Sequence, residues 1–165
     1  SCAEDVWHWY ITHGRSTLMV LDAMGYHAAN VEGLLDEENR EKVARVVTMG
    51  LVDSTHHWAY HIPPVTDDTI QATLIPSSVG RLQIGLQPAD STYLNGNMLY
   101  LADVPAQKIG MVAVDLHDTP TLTHYTVHTL PSSTQPNPTI VASVEFVEDE
   151  ARYFQRKHTN DGTDI

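Results

Sequence analysis

Hydrophobic and polar residues follow two different periods along the chain, and the change falls at residues 56–64. Before that segment, apolar residues recur at helical spacing, which predicts a helix with Ser16 as its N-cap and an end near Asn30 or Gly33. A second helix is predicted to begin at Asp36, because acidic residues follow it at the positive end of the helix dipole. These helices are expected to form an N-terminal helical hairpin or one longer, broken helix.

The first residues contain an aromatic group of Trp7, Trp9 and Tyr10 around His8. Their alternation is typical of a short strand, although the spacing also fits a helical turn. Trp and Tyr are enriched at the energetic centres of protein interfaces. We therefore treat Trp7, Trp9 and Tyr10 as candidate interaction residues, while packing in the core would explain them equally well.

Beyond residue 63, apolar and polar residues alternate with period two, and Gly, Pro and Asn punctuate the alternation. Asn95-Gly96-Asn97 is a strong turn signal. The segments between the predicted strands are short and contain no predicted helix, which implies antiparallel neighbours. The alternation predicts strands over residues 70–74, 82–87, 98–104, 112–116, 121–130 and 140–146.

The predicted fold class is α+β, with an N-terminal helical hairpin packed on an antiparallel β-sheet or partly closed β-barrel. A length of 165 residues is that of one ordinary domain. We expect a single domain with a mainly helical part over residues 1–62 and an antiparallel β part over residues 63–158. Residues 159–165 are expected to be a polar tail.

The charge of the chain restricts its partners. The formal net charge is −12, with nine Lys and Arg residues against 21 carboxylates. Nucleic acids and anionic membrane surfaces both bind through basic residues, so neither partner is expected. No apolar run is long enough to cross a membrane. No signal peptide is visible, so cytoplasmic synthesis is expected, and a place in a virion is compatible with it.

His57 and His61 are the candidate metal ligands. If their segment is helical, residues four apart share a face, and two imidazoles placed in this way can hold zinc or another transition metal. The pattern lacks the glutamate of a zinc-protease motif and an obvious third ligand. The alternative is that both histidines make ordinary hydrogen bonds, so the main expectation is no cofactor.

His124 and His128 are the candidate acid–base pair. In a strand they share one face with Leu122, Thr126 and Leu130. Asp115, or else His117 or Asp118 from the following turn, could act as their partner and orient one imidazole. The alternative is cross-strand hydrogen bonding on a solvated face.

Two functions from different classes remain. The first is a non-enzymatic structural or interaction protein of an ordered assembly, such as a virion, a tail or another multi-subunit complex. It is favoured by the absence of nucleophile and phosphate-loop motifs, and its partners would be other proteins or copies of the same chain. Histidines in such an interface would make assembly sensitive to pH near 6. The second is a small soluble lyase, isomerase or hydrolase with a pocket between helices and sheet.

Overall fold

A computed structural model describes residues 7–61, 69–77 and 80–160. The chain divides into two compact units. The first combines Ser1–Met49 with Gln135–Ile165, and the second is the continuous segment Gly50–Thr134. The division therefore does not fall at residue 62, and whether the chain is a single domain stays a prediction.

The described residues of the first unit form four helices and one short strand. Helices α1 and α2 both pack against α4, and α2 also contacts α3. Five apolar side chains of this unit are at most 3% exposed: Leu18, Val31, Val43, Val147 and Ala151. The elements are α1 (Trp7–Thr12), α2 (Arg15–Ala23), β1 (Ala28–Asn30), α3 (Glu37–Ala44) and α4 (Pro138–Asn160).

The predicted helix at Asp36 is confirmed, but the N-terminal hairpin is not. The Asp36 carboxylate caps α3 by accepting a hydrogen bond of 2.8 Å from the Asn39 N–H. Ser16 lies inside α2, whose N-cap is Gly14, so its assignment as the N-cap was wrong. Helix α2 ends at Ala23, β1 separates it from α3, and its main helical partner is the C-terminal α4.

One segment predicted as a strand is a helix, and so is the N-terminal segment whose pattern fitted either a strand or a helical turn. Trp7–Thr12 forms α1, in which the Thr12 hydroxyl donates to the His8 carbonyl one turn earlier at 2.8 Å. Residues 140–146 lie in α4, whose start is fixed by two local signals. The Asn137 side chain accepts from the Thr139 N–H at 2.9 Å, and Pro138 takes the first helical position, where no N–H is needed.

The second unit consists of strands in the described residues. Most of the alternating segments predicted as strands are confirmed, and the turn at Asn95-Gly96-Asn97 joins an antiparallel pair. The strands are β2 (Gly50–Val52), β3 (Trp58–His61), β4 (Thr69–Thr73), β5 (Leu82–Ala89), β6 (Tyr93–Asn95), β7 (Met98–Ala102), β8 (Lys108–Asp115) and β9 (Thr121–Thr129).

Five of these strands form a mixed sheet in the order β3-β4-β5-β7-β6. Pairs β3–β4 and β6–β7 are antiparallel, whereas β4–β5 and β5–β7 are parallel, so an antiparallel sheet throughout was wrong. Parallel pairing of β5 and β7 arises because the chain first runs to the edge as β6 and then returns between β5 and β6. In the described residues the sheet ends at β3 and β6 and does not close into a barrel.

A buried polar network lies beside the short β4–β5 connection. Gln71 and Gln83 are opposite each other in the parallel register and are 7% and 1% exposed. The Gln83 amide donates to the Ser77 carbonyl at 2.6 Å and to its hydroxyl at 2.7 Å, and that hydroxyl donates to the Gln71 side-chain oxygen at 2.9 Å. These bonds satisfy polar groups that would otherwise be buried without partners.

Several predictions fall outside the described residues. They concern the start of the β part at residues 63–68, part of the turn before β5 at residues 78–79, and residues 161–165 of the polar tail. Residues 159 and 160 belong to α4. Among the helices that are described, none combines the length and the apolar character of a membrane span.

Candidate functional site

Strands β8 and β9 form a two-stranded antiparallel sheet, called the ribbon below. Paired residues lie on the same side of a sheet, and successive pairs alternate sides. The Val112–Tyr125 pair therefore faces one side, and the Met111–Thr126 pair faces the other. The side with Met111 also carries Ile109, Ala113, His124 and His128.

A bulge at Thr123 changes which residues share a face. Ala113 is opposite His124, but Val114 is opposite Leu122, so Thr123 is an extra residue in β9. Its hydroxyl donates to the Ala113 carbonyl at 3.0 Å. Leu122 consequently lies on the side of Tyr125, and the prediction that it shares a face with His124 was wrong.

On the Met111 side of the ribbon, β8 contributes exposed apolar side chains, whereas β9 contributes His124, Thr126 and His128. Ile109 is 50% exposed and Met111 is 57% exposed. Lys108 and Asp115, at the ends of β8, are the only charged residues of the two strands. The sequence contains no Asp, Glu, Lys or Arg from Thr119 to Val144, an interval that includes all of β9.

The ribbon has few of the usual protections against strand pairing, since β9 has only its bulge at Thr123 and β8 has charged residues only at its ends. Within the described residues, β8 and β9 pair only with each other. Natural proteins usually protect exposed edge strands with charged side chains, Pro or a covering element. Strand β9 contains neither Pro nor a charged residue. This feature is visible in the sequence, but the alternation of apolar and polar residues does not reveal it.

The candidate acid–base residues lie on the exposed surface of the ribbon and do not converge. His124 and His128 are both exposed, and the described contact of His128 is with the Thr126 hydroxyl at 3.1 Å. Four residues along a strand separate them by about 13 Å, and the six-residue offset between Asp115 and the partner of His128 corresponds to about 20 Å. The Asp115 carboxylate instead accepts from the His117 N–H at 2.9 Å. This geometry does not support acid–base catalysis by the three residues together.

His57 and His61 lie in extended chain at and beside β3. In this conformation residues four apart are separated by about 13 Å, too far for two nitrogens to ligate one zinc ion. Each imidazole contacts a hydroxyl of β4, His57 with Thr73 at 2.9 Å and His61 with Thr69 at 3.5 Å. No group of three or more potential metal ligands occurs in the described residues. The helical geometry on which the metal hypothesis for His57 and His61 depended is absent, and metal binding by this pair stays a prediction.

His56, just before β3, forms a compact turn with Asp53. The Asp53 carboxylate accepts from the backbone N–H groups of Thr55 and His56 at 2.8 and 2.7 Å and contacts the His56 imidazole at 2.9 Å. Burial by itself raises the pKa of Asp53, but the hydrogen bonds from Thr55 and His56 outweigh it and hold the pKa well below its usual range. The carboxylate therefore stays ionised and stabilises the turn.

The candidate interaction residues at the N-terminus lie in α1. Trp7 is 42% exposed, and the Arg152 guanidinium of α4 lies over its ring at 5.7 Å. This contact gives Trp7 a packing role within the helical unit. The side chains of Trp9 and Tyr10 lie outside the described residues, and an interaction role for the three residues stays a prediction.

A buried cluster that was not predicted joins α1 to α2. The His8 Nδ1 lies 2.6 Å from the Ser16 hydroxyl, which lies 2.7 Å from the Thr12 hydroxyl. Thr12 donates its proton to the His8 carbonyl, so Ser16 donates to Thr12, and His8 must donate from Nδ1 to Ser16. Ser16 is fully buried and accepts from the imidazole, so the pair is structural and not a nucleophile with its base.

The electrostatics of His8 agree with this structural role. Burial lowers the pKa of His8, and the nearby Glu148 carboxylate offsets part of the effect. The neutral imidazole is therefore the form that the fold favours. Because Ser16 was assigned to an N-cap, sequence reasoning missed its contact with His8.

Comparison with known proteins adds no relative. No protein family matches the chain. No curated protein matches it either, and neither does any solved structure. The geometry of the described residues therefore supports the functional proposal by itself.

Proposed function

We propose that this chain is a subunit of an ordered protein assembly and that the ribbon is its contact with a second copy of the chain. The observation that supports the proposal is the combination of exposed Ile109 and Met111 with unpaired strand edges in the described residues. Exposed apolar strands without protecting charges favour pairing with another strand.

The charge of the chain favours a second copy at this surface. Two chains of net charge −12 repel each other wherever their carboxylates meet. The uncharged interval from Thr119 to Val144 offers a contact in which this repulsion is small. A self-complementary contact through a two-fold axis is also the commonest way in which identical chains associate.

The proposal is tested by the mass of the particle in solution, measured by light scattering after size exclusion over a range of concentrations. We expect the wild-type chain to exceed its monomer mass of 18.3 kDa. The substitution Met111→Lys should raise the dissociation constant about tenfold or more, because each contact then buries a charge without a partner. Circular dichroism establishes that the variant is folded.

Val46→Lys is the matched control. Val46 is 49% exposed and follows α3, outside the ribbon. This variant should associate like the wild type. A wild-type chain that stays monomeric at high concentration, or equal weakening by both substitutions, contradicts the proposal.

His124 and His128 make the same contact sensitive to pH. Both lie on the Met111 side of the ribbon, so protonation would place like charges at the contact. As the pH falls from 8 to 6, we expect association of the wild type to weaken relative to a variant with both histidines changed to Gln, because the other titrating groups are common to both chains. Identical pH profiles for the two chains would rule out a histidine contribution.

A further inference from the structure

The second unit contains an apolar cavity of about 480 Å³. It lies between the five-stranded sheet and the Tyr125 side of the ribbon, opposite the surface proposed for association. The volume falls in the range of small-molecule sites in proteins. The walls are mainly aliphatic and include Ile70, Leu82, Ile84, Leu99, Val112 and Val114.

The polar groups of the cavity wall are few and uncharged. Among the described residues that line it, none is acidic, basic or histidine. The Thr92 hydroxyl accepts from the Ala102 N–H at 2.9 Å and keeps its own proton for another acceptor. Tyr125 is half-buried, and its hydroxyl makes no hydrogen bond to another described residue. A wall of this kind suits a neutral molecule with one or two oxygen atoms.

Gly110 helps to maintain the open space at the ribbon side of the cavity. A Cβ at this position would lie 3.1 Å from a methyl group of Val104 and 3.8 Å from the Tyr125 ring. Any side chain would therefore occupy space between these neighbours. The volume of the cavity thus depends on the absence of a side chain at Gly110 as well as on the placement of the two sheets of this unit.

We propose that this cavity binds a neutral, hydrocarbon-rich molecule with a single polar oxygen, of the class of long-chain alcohols. Transfer of the hydrocarbon chain from water to the aliphatic walls makes the free energy of binding more favourable. Tyr125 and Thr92 supply the hydrogen bonds for the oxygen. A carboxylate of the same length should bind less well, because its charge would lose water without meeting a cationic partner.

The test uses 1-dodecanol and dodecanoate as probes at pH 8, where the second is ionised. Displacement of the neutral dye N-phenyl-1-naphthylamine reports their occupancy of the cavity. We expect saturable binding of the dye at one molecule per chain and displacement by 1-dodecanol at least about tenfold more effective than by dodecanoate. No saturable binding, or equal displacement by both probes, overturns the proposal.

Variants locate the binding in the cavity. Val112→Phe fills the cavity and should abolish dye binding, whereas Met111→Phe, on the opposite side of the same strand, should not. Tyr125→Phe should weaken 1-dodecanol binding about threefold to tenfold and leave dye binding unchanged. Circular dichroism establishes folding. If Val112→Phe does not fold, the Tyr125→Phe result decides alone, and unchanged 1-dodecanol binding by that variant overturns the proposal.

Discussion

The turn at Asp53 offers a direct test of how one carboxylate stabilises the start of the β unit. One oxygen of Asp53 accepts four hydrogen bonds of 2.7 to 2.9 Å, two from backbone N–H groups and two from the side chains of Thr55 and His56. The Asp53 side chain is 16% exposed, whereas that of His56 is 41% exposed. Water can therefore replace some of these bonds when the carboxylate is removed.

Asp53→Ala should lower the free energy of unfolding by about 1–3 kcal/mol at pH 7. This value is smaller than the sum of four charge-assisted bonds because the partners regain water. Asp53→Asn keeps an acceptor but loses the charge, and about 1 kcal/mol is expected for it. Urea unfolding followed by circular dichroism and by Trp fluorescence measures both, and coincident transitions establish two-state behaviour.

The same variants predict a dependence on pH. Because the folded state lowers the pKa of Asp53, its ionised form stabilises the fold fully above the ordinary Asp value of about 3.9 and progressively less below it. The difference between wild type and Asp53→Asn should therefore shrink by about 1 kcal/mol between pH 7 and pH 3. Asp90→Ala, at an exposed position of the same unit, should change stability by less than about 0.5 kcal/mol. A difference that stays constant with pH, or an Asp53→Ala effect as small as the control, would refute the reasoning.

Two other buried polar groups give predictions of their own. Burial lowers the pKa of His8 despite Glu148, so the stability contributed by its neutral form is present above about pH 6.5 and declines below it. When the pH falls from 7 to 5, the free energy of unfolding of His8→Gln, measured in urea, should therefore decrease less than that of the wild type. The control His13→Asn, at an exposed position, should decrease as much as the wild type. Gln83→Leu should lower the free energy of unfolding by about 2 kcal/mol, because its polar partners stay buried without a hydrogen bond. Adding Gln71→Leu in a double-mutant cycle should recover part of this loss, whereas strictly additive effects would contradict the network.

Elements whose signals are local could be predicted from the sequence. The Asp36 cap and the acidic residues after it identify α3, because the capping bond is made within three residues. Alternation identified β5 and β8 because a strand places every second side chain on one face. In both cases the information lies within the element itself.

Helix α4 was misassigned because the window was too short. Between residues 140 and 146, apolar residues alternate as they do in a strand. The next turns reveal the true period, since the buried Val147 and Ala151 are separated by four residues, and Pro138 marks the start of a helix. A longer window that included these residues would have predicted the helix.

Features that depend on contacts between distant residues could not be predicted. The parallel pairing of β4 with β5 joins Gln71 to Gln83, and nothing in either strand specifies its direction. The bulge at Thr123 becomes visible only when β9 is paired with β8. For the same reason the cavity beside Tyr125 could not be anticipated, whereas the uncharged interval that includes β9 was readable from the sequence.

The division of the chain into units has a consequence for its synthesis. The helical unit needs α4, whose Glu150 pairs with Arg15 of α2, yet the whole β unit separates these residues along the chain. A ribosome therefore releases residues 50–134 before α1 and α2 can meet their partner helix. The continuous β unit can complete its own pairing during this time, while the apolar face of α2 around Leu18 waits uncovered. Until α4 has emerged, α1 and α2 are therefore the part of the nascent chain that most needs a chaperone.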